Sequence, residues 1–218
     1  YVGGILVLYS ILFGRMICGW LCPFGWIQET PGLVRKLLDE NGIKVSSIGS
    51  HYGKIEIDDD FEPHFEAFKQ TVEVAKVLGT KYIRMFSFYA PAGRNIVDMK
   101  DEAFSALGRL LESAKEYGVV LCHENEAKIY GESPERCLDI LREFGGKLRA
   151  VFDMGNFVLD GYRPYPDAYE TLKEYIEYFH IKDALYAGAI VPAGKGEAQI
   201  KEILDDYKAN GKKDTFIT

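Results

Sequence analysis

The sequence predicts an α/β chain organised as an incomplete (β/α)8 barrel, with about six strands visible and a hydrophobic helical appendage at the N-terminus. Three observations lead there. From about residue 30 strand-like and helix-like patterns alternate, and each connection is long enough for a crossover between parallel strands. Three apolar runs, VVLCHENE (119–126), RAVFD (149–153) and YFHIKD (178–183), each pass into an ionisable residue near the strand's carboxyl end, where barrel active sites gather. No glycine-rich dinucleotide fingerprint follows the first strand: GSHYGK (49–54) lacks the GxGxxG spacing that an open Rossmann sheet would show.

Leu33, Val34, Leu37 and Leu38 form a short helical stripe ending before Gly42, and IKVSSIG (43–49) reads as a strand. Phe61, Phe65, Phe68, Val72, Ala75 and Leu78 recur at three and four residues, with Pro63 early and Gly79 just past the end, so 62–78 is a helix. Residues 81–88 form the next strand. Ala103, Leu107, Leu110, Ala114 and Tyr117 make the next helix stripe, which leads through Gly118 into 119–124. Ser133 before Pro134 starts a helix with Cys137, Leu138, Leu141 and Phe144 on its apolar face, and Gly145 stops it. After 149–153 come a loop with Gly155, Gly161, Pro164 and Pro166, a helix carrying Tyr169, Leu172 and Ile176, and the His180 strand. The loop VPAGKG (191–196) precedes a helix with Ile200, Ile203, Leu204 and Tyr207, and 214–218 opens one more strand.

The 218 residues are enough to bury a substantial core. A net charge of −7 lacks the basic footprint of a nucleic-acid binder and favours small-molecule chemistry. Four cysteines, Cys18, Cys22, Cys122 and Cys137, are too few and too unevenly spaced for a disulfide framework, which makes a reducing, cytoplasmic location the default. The first 29 residues hold only Arg15 and Glu29 as charges, so the whole −7 belongs to residues 30–218. The uncharged run 2–13 is shorter than the roughly 20 residues a spanning helix needs and has no signal-peptide features. It reads as the tail of a spanning helix, which would anchor the chain to a membrane if residues 1–29 are a genuine part of the protein.

GRMICGWLCPFGWIQE (14–29) resembles the membrane polyferredoxin-type 4Fe-4S proteins, whose GRxxCGWxCPFGxxQE pattern closes a transmembrane helix. A cluster takes four thiolates, and Cys18 and Cys22 supply two, which argues against a 4Fe-4S cluster held by this chain alone. The chain thus divides into an iron–sulfur-like segment, 1–29, and a barrel part, 30–218. No linker separates them, and the junction near 29–32 is expected to be an artificial or misassembled join, or a fragmentary gene.

On strand 119–124 the period of two puts Val120, Cys122 and Glu124 on one face and Val119, Leu121 and His123 on the other. Glu124, Asp153 and His180 each have an ordinary reading, as a surface carboxylate, a turn residue and a core histidine. Assembled with IKVSSIGSHYGKIEIDDD, KYIRMFSFYAPAG, VLCHENE, VFDMGNF, YFHIKDA and VPAGKGE, however, they lie in a stretch, 31–218, that resembles the sugar phosphate isomerase/epimerase family, the xylose-isomerase-like TIM barrels. In that family a Glu, an Asp, a His and a last Glu at the ends of strands five to eight hold a divalent metal. The resemblance assigns the first three to Glu124, Asp153 and His180 and places the fourth beyond Thr218. It makes residues 43–218 strands three to eight, with the first two missing and the last unfinished, which leaves open edges available for self-association.

The resemblance implies carbohydrate chemistry: metal-dependent isomerisation or epimerisation of a ketose or ketose phosphate, by proton transfer through an enediolate, impaired in so short a chain. Glu124 would be both ligand and proton-transfer carboxylate, and the hard-to-borderline ligand set admits Mn²⁺, Mg²⁺, Co²⁺ or Zn²⁺. His51, Lys54, Arg84 and Asn156 are the candidate substrate contacts, and His64 is expected to be solvated. Two other readings compete: a membrane-associated iron–sulfur electron-transfer protein, and an endonuclease of the apurinic-site type. The second of these is disfavoured by four histidines and an acidic balance.

Overall fold

The computed structural model describes residues 23–210 and 215–218. Five parallel strands, β1 (Ser47–Gly49), β2 (Tyr82–Met85), β3 (Val120–Glu124), β4 (Arg149–Asp153) and β5 (Ile176–His180), lie side by side in chain order. A doubly wound sheet reverses direction partway, whereas a barrel wall does not. Residues 216–218 pair along the far side of β5: Thr218 N donates to Phe179 O at 2.9 Å and Ile181 N to Thr218 O at 2.9 Å. The arc is an incomplete (β/α)8 barrel of five strands, with residues 216–218 bridged to β5 at its edge. Among the described residues β1 pairs with β2 alone.

The helices are α1 (Pro23–Glu40), α2 (Phe61–Leu78), α3 (Lys100–Lys115), α4 (Pro134–Glu143), α5 (Met154–Leu159), α6 (Tyr169–Leu172) and α7 (Ile200–Ala209). Their ends follow local chemistry. Asp60 caps α2 by accepting from Glu62 N, and Gly79 closes it at φ +70°, a left-handed conformation that costs glycine little. Ser133 accepts from Arg136 N at the start of α4, with Pro134 in the first turn. Arg35 of α1 donates to Leu78 O at 2.6 Å, placing a cation on the carbonyl end of α2.

The two faces of the sheet bury different things. The main core joins the outward strand residues Ile83, Leu121, Phe152 and Phe179 to Phe68, Val72, Leu107, Leu110, Ile140 and Leu141 of the helices. Each large apolar side chain fully buried there contributes about 1.5–3 kcal/mol. The inward face carries a smaller cluster, Cys122, Val151 and Tyr178, flanked by Tyr82, Val120 and Phe216. The alternation expected on 119–124 is therefore observed: Cys122 fills the inner layer and Leu121 the outer.

Several boundaries differ from the sequence reading. The residues after Asp153 are not a loop: Asp153 accepts from Asn156 N and caps α5, so its carboxylate starts a helix. Ile176 does not extend the Tyr169 helix but opens β5, because Lys173 is followed by a turn and Tyr175 O already accepts from Ala150 N of β4. β5 ends at His180, and Asp183 belongs to a short antiparallel ribbon, β6 (Asp183–Ala184) with β7 (Ile190–Val191). Tyr117 lies beyond α3 and is 39 % exposed, its ring covered by the Lys76 ammonium at 5.4 Å. His64 is half-buried rather than solvated, and its Nε2 accepts from Gly53 N at 2.9 Å.

Cys18, Cys22 and the apolar run 2–13 lie outside the described residues. α1 runs through residues 29–32 without interruption. No helix among the described residues is long and apolar enough to cross a membrane.

Candidate metal centre

Adjacent parallel strands in register bring their carboxyl ends together, and here those ends carry Glu124, Asp153 and His180. Asp153 stands directly opposite His180 in the β4–β5 pairing. His180 Nδ1 is 3.0 Å from Glu124 Oε1 and 3.3 Å from Asp153 Oδ2, and one donor atom from each of the three lies within 4.8 Å of the others. The two carboxylates are 3 % and 0 % exposed, while the histidine is 34 % exposed and forms the open side.

The electrostatics of the cluster follow from that burial. Asp153 is pushed up to about 6, first by desolvation and then by the charge of Glu124; the Asn156 N–H, Lys182 and His180 pull the other way. His180 is raised by its hydrogen bond to Glu124 and by the charges of Glu124 and Asp153, against burial and Arg84. Glu124 Oε2 and Asp153 Oδ2 are buried and accept no hydrogen bond. Arg84 Nη1 sits 3.0 Å from Glu124 Oε2 without hydrogen-bond alignment. Arg84 and the His180 ring approach these two oxygens at 3.0 and 3.3 Å without forming a hydrogen bond, and a metal cation between the carboxylates would offset the cost of burying them. Two carboxylates and an imidazole suit a divalent ion of hard or borderline character.

The other expected contacts are distributed around this cluster. Arg84 touches Glu124 and lies 5.3 Å over the Phe86 ring. Asn156 is 5 % exposed and held at both ends of its amide: its Nδ2 donates to Asn125 O at 2.8 Å and its Oδ1 accepts from Lys182 at 2.6 Å. Lys54 reaches across to Glu126 at 2.7 Å and covers Phe86 at 4.2 Å. His51 is exposed and stacks on Tyr52 with ring centroids 5.2 Å apart; it is not brought into the triad. His123 points to the helices, as alternation requires, with Nε2 2.9 Å from Ser87 Oγ, and burial lowers it to about 4.

Two residues of the site escaped the sequence reading. Asn125 is 2 % exposed and ties the ends of β3 and β4: its Nδ2 donates to Asp153 O and its Oδ1 accepts from Asp153 N, at 2.9 and 3.0 Å. Lys182, in the YFHIKD run, carries the only ammonium bound to Asn156 among the described residues. Neither carries a ligand-type signal in sequence, because an amide and an alkyl ammonium are ordinary at strand ends. A cavity of about 410 Å³ lies elsewhere, between Phe61 of α2 and Arg109 of α3, and includes none of the triad.

The family model for the xylose isomerase-like TIM barrel matches residues 17–217. The match begins upstream of the junction expected near 29–32 and takes in Cys18 and Cys22, and nothing in the comparisons supports an iron–sulfur segment or a chimeric chain. Among solved structures, a D-tagatose 3-epimerase-like protein aligns with TM-score 0.74 at 20 % identity, over 91 % of this chain and 76 % of its own. The xylose isomerase domain protein from Planctomyces limnophilus aligns with TM-score 0.73 at 20 % identity, over 87 % and 75 %. The IOLI protein with a bound zinc atom aligns with TM-score 0.72 at 19 % identity, over 86 % and 71 %. No curated protein matches the sequence significantly. The fold, its strand order and the match over nearly the whole length agree: the chain belongs to the xylose isomerase-like TIM barrel family.

Proposed function

We propose that the chain is a metal-dependent sugar or sugar phosphate isomerase or epimerase, with Glu124, Asp153 and His180 as metal ligands and Glu124 also as a proton-transfer group. The observation that carries the reading is the pair of buried carboxylate oxygens, Glu124 Oε2 and Asp153 Oδ2, that accept no hydrogen bond beside an imidazole nitrogen. An epimerase-like neighbour, an isomerase-domain neighbour and a third with a bound zinc atom favour the same reading. A divalent ion held there would supply Lewis-acid stabilisation of negative charge developing on substrate oxygens.

The chain's own residues would do the rest. Glu124 would take the proton from the carbon beside the substrate carbonyl, and Arg84 Nη1, 3.0 Å from its Oε2, would orient that carboxylate. Asp153 would be held in place by Asn125 on its backbone and by Asn156 N on Oδ1. The four-ligand scheme of the resemblance asks for one more carboxylate than these three residues supply.

The test is solvent exchange. The full chain, loaded with Mn²⁺, is incubated in D₂O with ketoses and ketose phosphates, and deuterium incorporation next to the carbonyl is followed by NMR. Incorporation that depends on metal and is lost in Glu124→Gln is expected; absence of exchange with every substrate of the panel overturns the proposal.

A further inference from the structure

Around the triad, the cations differ in how their charge is met. Arg84 faces Glu124 and Lys54 faces Glu126, each within ion-pair distance. Lys182 has no carboxylate within 4.0 Å among the described residues; its one hydrogen bond is to the neutral Asn156 Oδ1, at 2.6 Å. An ammonium carries three donors, so two remain for another acceptor.

The position is built rather than incidental. Lys182 lies two residues past His180, the last residue of β5, and its ammonium reaches Asn156 Oδ1 at 2.6 Å. Gly155, at the start of α5, is what lets it in: a Cβ there would stand 2.7 Å from Lys182 Cγ and 2.8 Å from its carbonyl group. Asn156, which holds the ammonium, is itself fixed by Asn125, and Asn125 by Asp153. A chain of amides thus connects Lys182 to the ends of β3 and β4.

We propose that Lys182 is the specificity-determining substrate contact, binding an anionic oxygen of the ligand, so that the site selects a sugar bearing a phosphate or carboxylate over the neutral sugar. The inference rests on the metal-dependent reading of the triad. A charge-assisted hydrogen bond to a desolvated anion corresponds to about a tenfold to hundredfold preference over the uncharged analogue.

The experiment measures binding by calorimetry to the full chain and to Lys182→Gln and Lys182→Arg. The probes are Mn²⁺ alone, inorganic phosphate, a ketose, its terminal phosphate, and the matching sugar acid. The expected result is a tenfold or greater preference of the wild type for one anionic form over the ketose. That preference is lost in Lys182→Gln and partly restored in Lys182→Arg, with Mn²⁺ still bound by all three. Whether phosphate or carboxylate binds more tightly identifies the anion. Equal binding of neutral and anionic sugars by the wild type, no binding of any anionic probe, or an unchanged preference in Lys182→Gln overturns the proposal. Loss of Mn²⁺ binding by the wild type would overturn the metal reading instead, which the anion preference does not measure.

Discussion

Asp183 offers a sharp test of how the segment after β5 is held. Its carboxylate is 2 % exposed and accepts four backbone hydrogen bonds: Oδ1 from Ala184 and Ala198 at 2.9 and 3.1 Å, Oδ2 from Gly194 and Gly196 at 2.8 Å each. Gly196 approaches so closely that a Cβ would lie 2.2 Å from Oδ1. In Asp183→Asn the shape is conserved, but whichever way the amide is turned its NH₂ faces two N–H donors. Two charge-assisted bonds of about 1.5–3 kcal/mol each are lost, and two donors are left facing another donor, so the cost is roughly 3–5 kcal/mol. With a urea m-value of about 2 kcal/mol/M, the unfolding midpoint should fall by roughly 1.5–2.5 M without a change in m. Burial opposes the charge on Asp183, but the four N–H donors outweigh it and hold the carboxyl below its ordinary value. A depressed carboxylate contributes stability above its unfolded value, about 3.9, and loses it as pH falls further, so the gap between wild type and variant should narrow below that pH. A midpoint shift under about 0.3 M at pH 7 would refute the clamp.

Other expectations follow from single contacts. Gly131→Ala places a Cβ 2.3 Å from His123 Cε1 and 3.0 Å from Ile140 Cδ1 in a closed core, so a loss of about 1–3 kcal/mol is expected in urea unfolding, and a neutral result would contradict the packing. His123, lowered to about 4 by burial, contributes full stability above its unfolded value near 6.5 and loses it as pH falls towards 4, up to about 3 kcal/mol. His123→Gln should show a shallower loss between pH 6.5 and 4.5, and parallel curves would remove the effect. Burial raises the Cys122 and Cys137 thiols above the ordinary thiol range, so mass-spectrometric mapping after brief alkylation should find both unmodified in the folded chain; rapid labelling of either would contradict its burial.

Where side-chain periodicity or a cap carried the information, the sequence was readable. The stripe ending at Leu78, the Ser133–Pro134 start of α4 and the two faces of β3 are all observed, because each is set by contacts within one element. The three ligand candidates were legible for the same reason: strand ends in a parallel sheet converge once the strands pair in order. What escaped depends on tertiary partners. Ile176 has helix-compatible spacing, but pairing next to Ala150 makes it a strand residue. Asp153 looks like a loop opener until Asn156 N turns it into a cap. His64 lies among acidic residues in sequence, and only the fold brings Gly53 N to its ring. Asn125 and Lys182 gain meaning from Asn156, a residue 26 positions from the lysine.

The central claim is that Glu124, Asp153 and His180 bind one divalent ion. Calorimetric titration of the metal-free full chain with Mn²⁺ and Zn²⁺ at pH 7.5, alongside Asp153→Ala and His180→Ala, measures it directly. One ion per chain is expected, with at least hundredfold weaker binding in each variant and circular dichroism spectra that remain those of a folded α/β protein. Affinity unchanged by either substitution in a folded variant would contradict it.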